Sequence, residues 1–383
     1  MLFLRPGSQA HLLATLLSVV GEYPTSALHL LGNERVYRAL VNKLTEVQTI
    51  RDTQTDAELT VRLLKLSGKT REKSIRFYKA GLPILEWFGA AEYYRRAFWD
   101  HQFPGDAAHK DRNYRVAESV AMCMRSGIEF RPYRAPLLQN EITKRSFTSD
   151  PIFYPARSIK QVGMTEQNKT MFTRLTGAIF SDRKCYAVYN TRSAAMKWSG
   201  MGEFKTRQSL IEIARMNTSI REIDSAILFG SSDEVALRTL EESEKNRHLE
   251  FRFDGIYHWI HFIPLDENGI RQLSILTLPN SNDRILDLLF EPEYRSYNRG
   301  HFEYDAYIDG TYVMSHMDGD LAKLIRIKRA IENTSGRYEM LCYPHQVSFL
   351  REYLSHLVQI KTIDMDSVEA ELGLERRNHL FAR

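Results

Sequence analysis

Cysteine is scarce in this chain of 383 residues. Its three cysteines, Cys123, Cys185 and Cys342, lie far apart and form no Cys-x-x-Cys pair. A zinc site therefore lacks a ligand set. An odd number of scattered thiols suits reduced, buried side chains in a cytoplasm. Long hydrophobic runs are also missing. No stretch of about 18 uncharged apolar residues occurs, so no membrane span and no membrane partner is expected. The opening MLFLRPGSQAHLLATLL has an early Arg and Pro-Gly and no small-residue cleavage site, so no signal peptide is expected. The Gly-x-x-x-x-Gly-Lys-Ser/Thr loop and the Gly-x-Ser-x-Gly elbow are absent, which leaves nucleotide hydrolysis and serine-hydrolase chemistry without support. The His-hydrophobe-His motif of common rolling-circle relaxases is missing too. His258 and His261 in YHWIHF stand three apart, so on a strand they face opposite ways and share no metal.

What is present is a globular composition, 43% apolar and 26% charged, in a length that suits two or three domains. The net charge is only +4, but it is unevenly placed. Residues 1–150 hold 22 Lys and Arg against 16 Asp and Glu, whereas the remainder holds 30 against 32. A basic first part beside a neutral second part is the asymmetry expected when one domain meets a polyanion.

Local pattern sharpens that reading. Leu12, Leu13, Leu16, Leu17 and Val20 recur at helical spacing over Gln9–Gly21, with Ser8 as N-cap. Thr25 can cap a short helix, Ser26–Leu31, that ends at Gly32. Asn33 can cap a third, Glu34–Glu46, with Val36, Leu40, Val41 and Leu44 on its apolar face. Val47–Arg51 and Leu59–Leu66 read as a hairpin around a polar turn. Three helices followed by a hairpin form the winged helix-turn-helix pattern; a plain helical bundle with an incidental hairpin is the alternative. The third helix would enter the major groove, where Asn33, Arg35, Tyr37, Arg38, Asn42 and Lys43 could reach bases or phosphates. The run KLSGKTREKSIRFYK over Lys65–Lys79 holds six basic residues and one acid. With Arg62 just before it, Lys65, Lys69, Arg71 and Lys73 would neutralise backbone phosphates; an exposed charged helix is the competing reading.

Further helices are expected through Leu85, Trp87, Tyr93 and Phe98 and over Asp111–Ser126, with a strand at Ile128–Tyr133. The polar stretch Gln139–Gly163 reads as a linker. The second half alternates. Strands are expected at Leu175–Phe180, Cys185–Asn190, Met196–Ser199, Ser225–Phe229, Tyr257–Pro264, Arg271–Thr277, Tyr338–Tyr343 and Val358–Ile363. Helices are expected at Phe204–Met216, Asp233–Glu244, Arg284–Phe290, Leu321–Glu332, Gln346–Leu357 and Ser367–Leu372. The resulting fold class is α+β or α/β: a winged helix (1–80), a helical extension (81–138), a linker (139–163) and a mixed α/β domain (164–383).

The order strand, strand, strand, helix, strand over 175–229 matches the core of the restriction-endonuclease-like fold. There, an Asp and a Glu-x-Lys converge on Mg²⁺. Asp182, Glu203 and Lys205 are the candidates. Glu203 can equally stabilise the first turn of the helix that follows.

The segments QAHLLATLL…ALHLLGNERVYRALVNKLTEVQTIR, RNYRVAESVAMCM and TGAIFS…CYAVYNT…MKWSGMGEFKTR together resemble the replication-relaxation (MobC-like) proteins of plasmids and integrative conjugative elements, chiefly of Firmicutes. The resemblance covers roughly residues 8–230 and is one of pattern. It implies a winged-helix domain binding DNA near an origin of transfer or replication. In some members it implies a restriction-endonuclease-like second domain with relaxase activity. The expectation is a sequence-selective double-stranded DNA-binding accessory protein of mobilisation, with no cofactor and with a relaxase, other mobilisation protein or second copy as partner. The alternatives are a Mg²⁺-dependent nicking enzyme and a transcriptional regulator that senses a small ligand.

Overall fold

The computed structural model describes residues 1–68, 73–103, 106–130, 150–160, 174–181, 183–197, 201–217, 220–246, 248, 252–296 and 303–374. The arrangement is mixed α/β. Helix α1 (Gln9–Val20) begins where the Ser8 hydroxyl accepts the His11 N–H, and Gly21 at φ +73° ends it. A short strand, β2 (Glu22–Pro24), and a 3-10 helix (Thr25–Leu31) follow. Gly32, at φ +135°, turns the chain into α2 (Glu34–Leu44). Asn33 Oδ1 accepts the N–H groups of Arg35 and Val36 and fixes the start of α2. Strands β3 (Gln48–Asp52) and β4 (Glu58–Val61) form the expected antiparallel hairpin, and β1 (Leu2–Leu4) joins β3 in parallel.

The expected strand Leu59–Leu66 is in fact two strands, because the chain leaves β4 after Val61 and re-enters at β5 (Leu64–Ser67). β5 pairs with β6 (Ser74–Phe77), and β6 pairs with β2, giving the order β2–β6–β5. The described parts of the basic run are thus mainly two paired strands and not one helix. On β6, Ile75 and Phe77 are buried with half-buried Arg76 between them, the period of two that strands impose, whereas on β5 Leu64 is buried and Leu66 exposed.

Two short helices, α3 (Ile84–Trp87) and α4 (Ala91–Ala97), lead to α5 (Ala107–Arg125), capped by Asp106. A six-stranded sheet follows: β7 (Glu129–Phe130), β8 (Ile152–Pro155), β9 (Leu175–Phe180), β10 (Cys185–Arg192), β11 (Ser225–Gly230) and β12 (Trp259–Pro264), neighbours in that order. β8, β9 and β10 are antiparallel; β10, β11 and β12 are parallel. Part of the stretch read as linker is therefore a buried strand, β8, continued by α6 (Ala156–Lys160). The crossovers use α7 (Met201–Asn217), and then α8 (Asp233–Lys245) and α9 (Phe253–Ile256). No strand forms at Met196–Lys197; Trp198 and Ser199 lie outside the described residues.

α10 (Glu267–Leu276) replaces the expected strand Arg271–Thr277. Asp266 caps it by accepting the Gly269 N–H, and Gly269 packs so close that an added Cβ would lie 1.8 Å from the Pro264 carbonyl oxygen. After α11 (Ser281–Leu289), β13 (Ala306–Ile308), β14 (Thr311–Ser315), β15 (Arg337–Cys342) and β16 (Gln359–Thr362) form a second sheet in chain order. The helices α12 (Leu321–Glu332), α13 (Val347–Leu354) and α14 (Met365–Leu372) complete this part.

The six-stranded sheet is buried on both faces. Phe153, Ile179, Val188, Ile227 and Ile263 join the same core as the N-terminal elements, whereas Tyr154, Ala178, Tyr189, Leu228 and Ile260 face the C-terminal core. Cys123, Cys185 and Cys342 are buried free thiols. Among the described residues, no helix is long and apolar enough to cross a membrane.

Candidate nucleic-acid interface

α2 has one anchored side and one exposed side. Tyr37, Val41 and Leu44 are buried. Arg35, Val36, Arg38, Ala39, Asn42 and Lys43 are exposed. The spacing three, four and seven along α2 puts Arg35, Arg38, Ala39 and Asn42 on one stripe. Arg38 is paired with Glu34 one turn back, both half-exposed, a contact worth little in water and easily released. Two expected contact residues are already used. Tyr37 is 1% exposed and belongs to the core, and the Asn33 amide oxygen is occupied by its cap. Val36, expected on the apolar face, is 42% exposed and sits among the polar residues.

The second hairpin supplies further cations. Arg62 is exposed with its guanidinium 5.7 Å from the Tyr78 ring centroid. Lys65 is half-buried on β5, and Lys73 is exposed just before β6. Lys69 and Arg71 lie outside the described residues. The hairpin is held from below by a buried ion pair. Glu22 of β2 accepts from Arg76 at 2.6 Å, from Ser74 at 3.3 Å and from the Asn113 amide of α5 at 3.2 Å.

The proposed metal triad does not assemble. Glu203 and Lys205 lie in the first turns of α7 and not on a strand. Two residues apart on a strand share a face, but on a helix they point about 200° apart. Glu203 is 6% exposed and paired with Arg174 at 3.2 Å, while Lys205 is exposed. Burial pushes the Glu203 carboxyl above its ordinary pKa, and Arg174 pulls it back. Asp182 lies outside the described residues. The strand, strand, strand, helix, strand order is met only by counting β8, β9, β10, α7 and β11, with α6 interposed between β8 and β9. Its third strand, CYAVYNTR, ends in Asn190 and Arg192, which hold the buried Glu118 of α5 at 3.0 Å each. Among the described residues, no group of three or more His, Cys, Asp or Glu side chains is placed to hold a metal ion.

A different feature stands out in the α/β half. A cavity of about 390 Å³ opens at the starts of β10, β11 and β12, lined by Lys184, Asp224, Trp259, His261, Gln272 and Asp318 among others. His261 Nδ1 lies 3.0 Å from the Asp318 carbonyl oxygen and must donate to it, which leaves Nε2 as an acceptor. That Nε2 is buried without a hydrogen-bond partner. Burial holds His261 neutral, with its pKa pulled down to about 4. The sequence pattern drew attention to His261 and set aside a metal shared with His258. The companion of His261, Asp318, is 57 residues away and reaches it only through the meeting of the two sheets.

No family model, no characterised protein and no solved structure matches this chain.

Proposed function

We propose that the chain binds double-stranded DNA through a winged helix-turn-helix and serves as an accessory protein in replication or mobilisation of a mobile element. The observation that carries the reading is the exposed stripe Arg35, Arg38, Ala39, Asn42 and Lys43 on a helix anchored by Tyr37, Val41 and Leu44. Arg can pair with guanine, Asn with adenine, and Ala39 can meet a thymine methyl. The order α1, β2, 3-10 helix, α2, the β3–β4 hairpin and then the β5–β6 pair, with β6 returning to β2, supports it. Exposed Arg62 just before β5, half-buried Lys65 on β5 and exposed Lys73 just before β6 would serve as the wing's cations, which track phosphates. The mobile-element context rests on the sequence resemblance alone. Under this reading the α/β half contacts a relaxase, another mobilisation protein or a second copy.

A gel-shift titration of the full chain at moderate salt tests it. Replacing Arg35, Arg38 and Lys43 together with Ala removes exposed side chains only, so folding is kept. Affinity for duplex DNA is expected to fall by at least about tenfold. Unchanged affinity removes α2 from the interface and the reading with it.

A second reading is favoured by the 390 Å³ cavity and the unpartnered His261 Nε2: a regulator whose α/β half takes a small ligand that donates to that nitrogen. A ligand-dependent shift of the duplex-binding midpoint separates it from the accessory reading. The nicking alternative draws no support from Glu203 and Lys205, which point apart.

A further inference from the structure

Three strand starts and one turn build the cavity of about 390 Å³. Lys184 immediately precedes β10, Asp224 immediately precedes β11, His261 stands on β12, and Asp318 lies between β14 and α12. Trp259, Leu278 and Met317 add a largely apolar wall. At about 30 Å³ per water the space equals roughly thirteen waters, enough for a small organic molecule.

The polar side of this lining is set to accept hydrogen bonds. His261 is 3% exposed; its Nε2 is buried without a partner, while its Nδ1 is committed to the Asp318 carbonyl. The Asp318 carboxylate stands beside it. Its Oδ1 accepts the Asp320 N–H at 3.2 Å, and its Oδ2 lies 3.8 Å from His261 Nδ1, too far for a hydrogen bond. Asp224 Oδ1 accepts the Ser225 hydroxyl at 2.9 Å. Glu222, Asp224, Asp283 and Asp318 line the cavity against Arg183 and Lys184. Asp283 is answered by Arg295 at 3.6 Å, which leaves three carboxylates facing two cations. An anion entering here would meet those carboxylates and an acceptor nitrogen, and is disfavoured. A bare metal ion finds no ligand set, since among the described residues no three His, Cys, Asp or Glu side chains are placed to hold one. The occupant that fits carries a positive charge and its own N–H donors, with an apolar body for the wall. Lys184 is exposed, with its ammonium 4.7 Å from the Tyr186 ring centroid. It can turn away from an incoming cation, or meet an acid group carried by the same ligand.

We propose that this cavity takes the ammonium group of a small amine with an apolar body. An N–H of the ligand donates to His261 Nε2, and Asp318 and Asp224 balance its charge. The ammonium belongs either to a simple organic amine or to an amino acid, whose carboxylate would meet Lys184. The amine site rests on the second reading above, that this cavity takes a ligand, and is independent of DNA binding.

The test is calorimetric titration of the full chain with phenethylamine, at neutral pH and constant ionic strength. Phenethyl alcohol, the same body with a hydroxyl in place of the ammonium, is the neutral counterpart. Saturable binding of the amine is expected, with the alcohol weaker by about tenfold or more. His261→Asn keeps a donor for the Asp318 carbonyl and loses the Nε2 acceptor. Asp318→Asn keeps an oxygen for the Asp320 N–H and loses the charge. Each should weaken amine binding by about tenfold, and Asp318→Asn should leave the alcohol unaffected. L-Phenylalanine separates the two sources. Tighter binding than the amine, with the gain lost in Lys184→Gln, assigns the site to an amino acid; weaker binding assigns it to a simple amine. Absence of saturable amine binding overturns the proposal. Alcohol binding as tight as the amine, or equal amine binding by wild type and Asp318→Asn, also overturns it but leaves the cavity a ligand site. Saturable amine binding that leaves the duplex-binding midpoint unmoved keeps the amine site and removes the regulator.

Discussion

Two buried histidines set how the molecule responds to acid. His261 and His316 are 3% and 2% exposed, and burial pulls the pKa of each down to about 4. Asp318 raises both, and Lys184 and Lys323 respectively lower them. An unfolded histidine titrates near 6.5, so the unfolded chain takes up protons first as pH falls. The stability these residues contribute is complete above pH 6.5 and is lost progressively toward pH 4. At 1.36 kcal/mol per pKa unit, the ceiling is about 3 kcal/mol for each. Asp320 acts the opposite way. Burial and Asp318 push it up to about 7, so its contribution is present at low pH and fades as pH rises from about 4 to 7. The two histidines outweigh the one carboxyl, and the net expectation is destabilisation on acidification. Urea midpoints measured at pH 7 and pH 4.5 should show a smaller acid loss in His316→Gln than in wild type. An identical loss in both would show that His316 titrates normally.

At the scale of elements, the hairpin β5–β6 depends on one buried carboxylate. Glu22 is fully buried and accepts from Arg76, Ser74 and Asn113, tying β2, β6 and α5 together. Glu22→Ala leaves the Arg76 guanidinium buried without its counter-ion, at an expected cost of about 3–5 kcal/mol. Replacing both Glu22 and Arg76 with apolar residues of similar size should cost much less than the single change, because no lone charge remains. Chemical denaturation of the two variants decides it; a double variant worse than the single would contradict this account. Elements whose caps and periodicity agree were legible in the sequence. α2 has Asn33 before it, and α5, α12, β9, β10 and β11 each carry a local pattern of one period. α10 was not legible. Its buried residues Ile270, Gln272, Leu273, Ile275 and Leu276 surround the helix, which blurs the 3.6 period and leaves Leu273-Ser274-Ile275 resembling a strand. β5–β6 was masked by its charge. β8 was masked by the polar residues flanking four consecutive buried positions. At the site, the exposed stripe of α2 could be read directly. The burial of Tyr37 could not, since an aromatic between two arginines looks like a contact residue until its packing is known. The cavity at the starts of β10, β11 and β12 joins residues far apart in sequence, so no local motif announces it.

The scale of the whole molecule decides whether the N-terminal elements can stand alone. α5 touches α1, β2 and the 3-10 helix on one side and β8, β9, β10 and α10 on another. Leu16, Leu17, Tyr23 and Leu28 of the N-terminal elements lie in one continuous buried cluster with Val120, Met122, Val188, Ile227 and Leu273. Polar contacts cross the same boundary: Arg125 pairs with Glu267 at 3.0 Å, and Ser126 donates to the Ile270 carbonyl at 2.9 Å. The His29 ring sits 3.2 Å from the Leu265 carbonyl. A fragment of residues 1–80 therefore keeps α1 and α2 but loses the surface on which α1 rests. Each large apolar side chain left in water forfeits about 1.5–3 kcal/mol, and several are involved, against a net stability that for a whole domain is only about 5–15 kcal/mol. The fragment is expected to show weak, non-cooperative unfolding by circular dichroism and little amide protection in α1. The full chain should protect α1 and α5 together, as one unit. A fragment 1–80 that unfolds in a single sharp transition, with α1 protected as in the full chain, would show that the shared core contributes little.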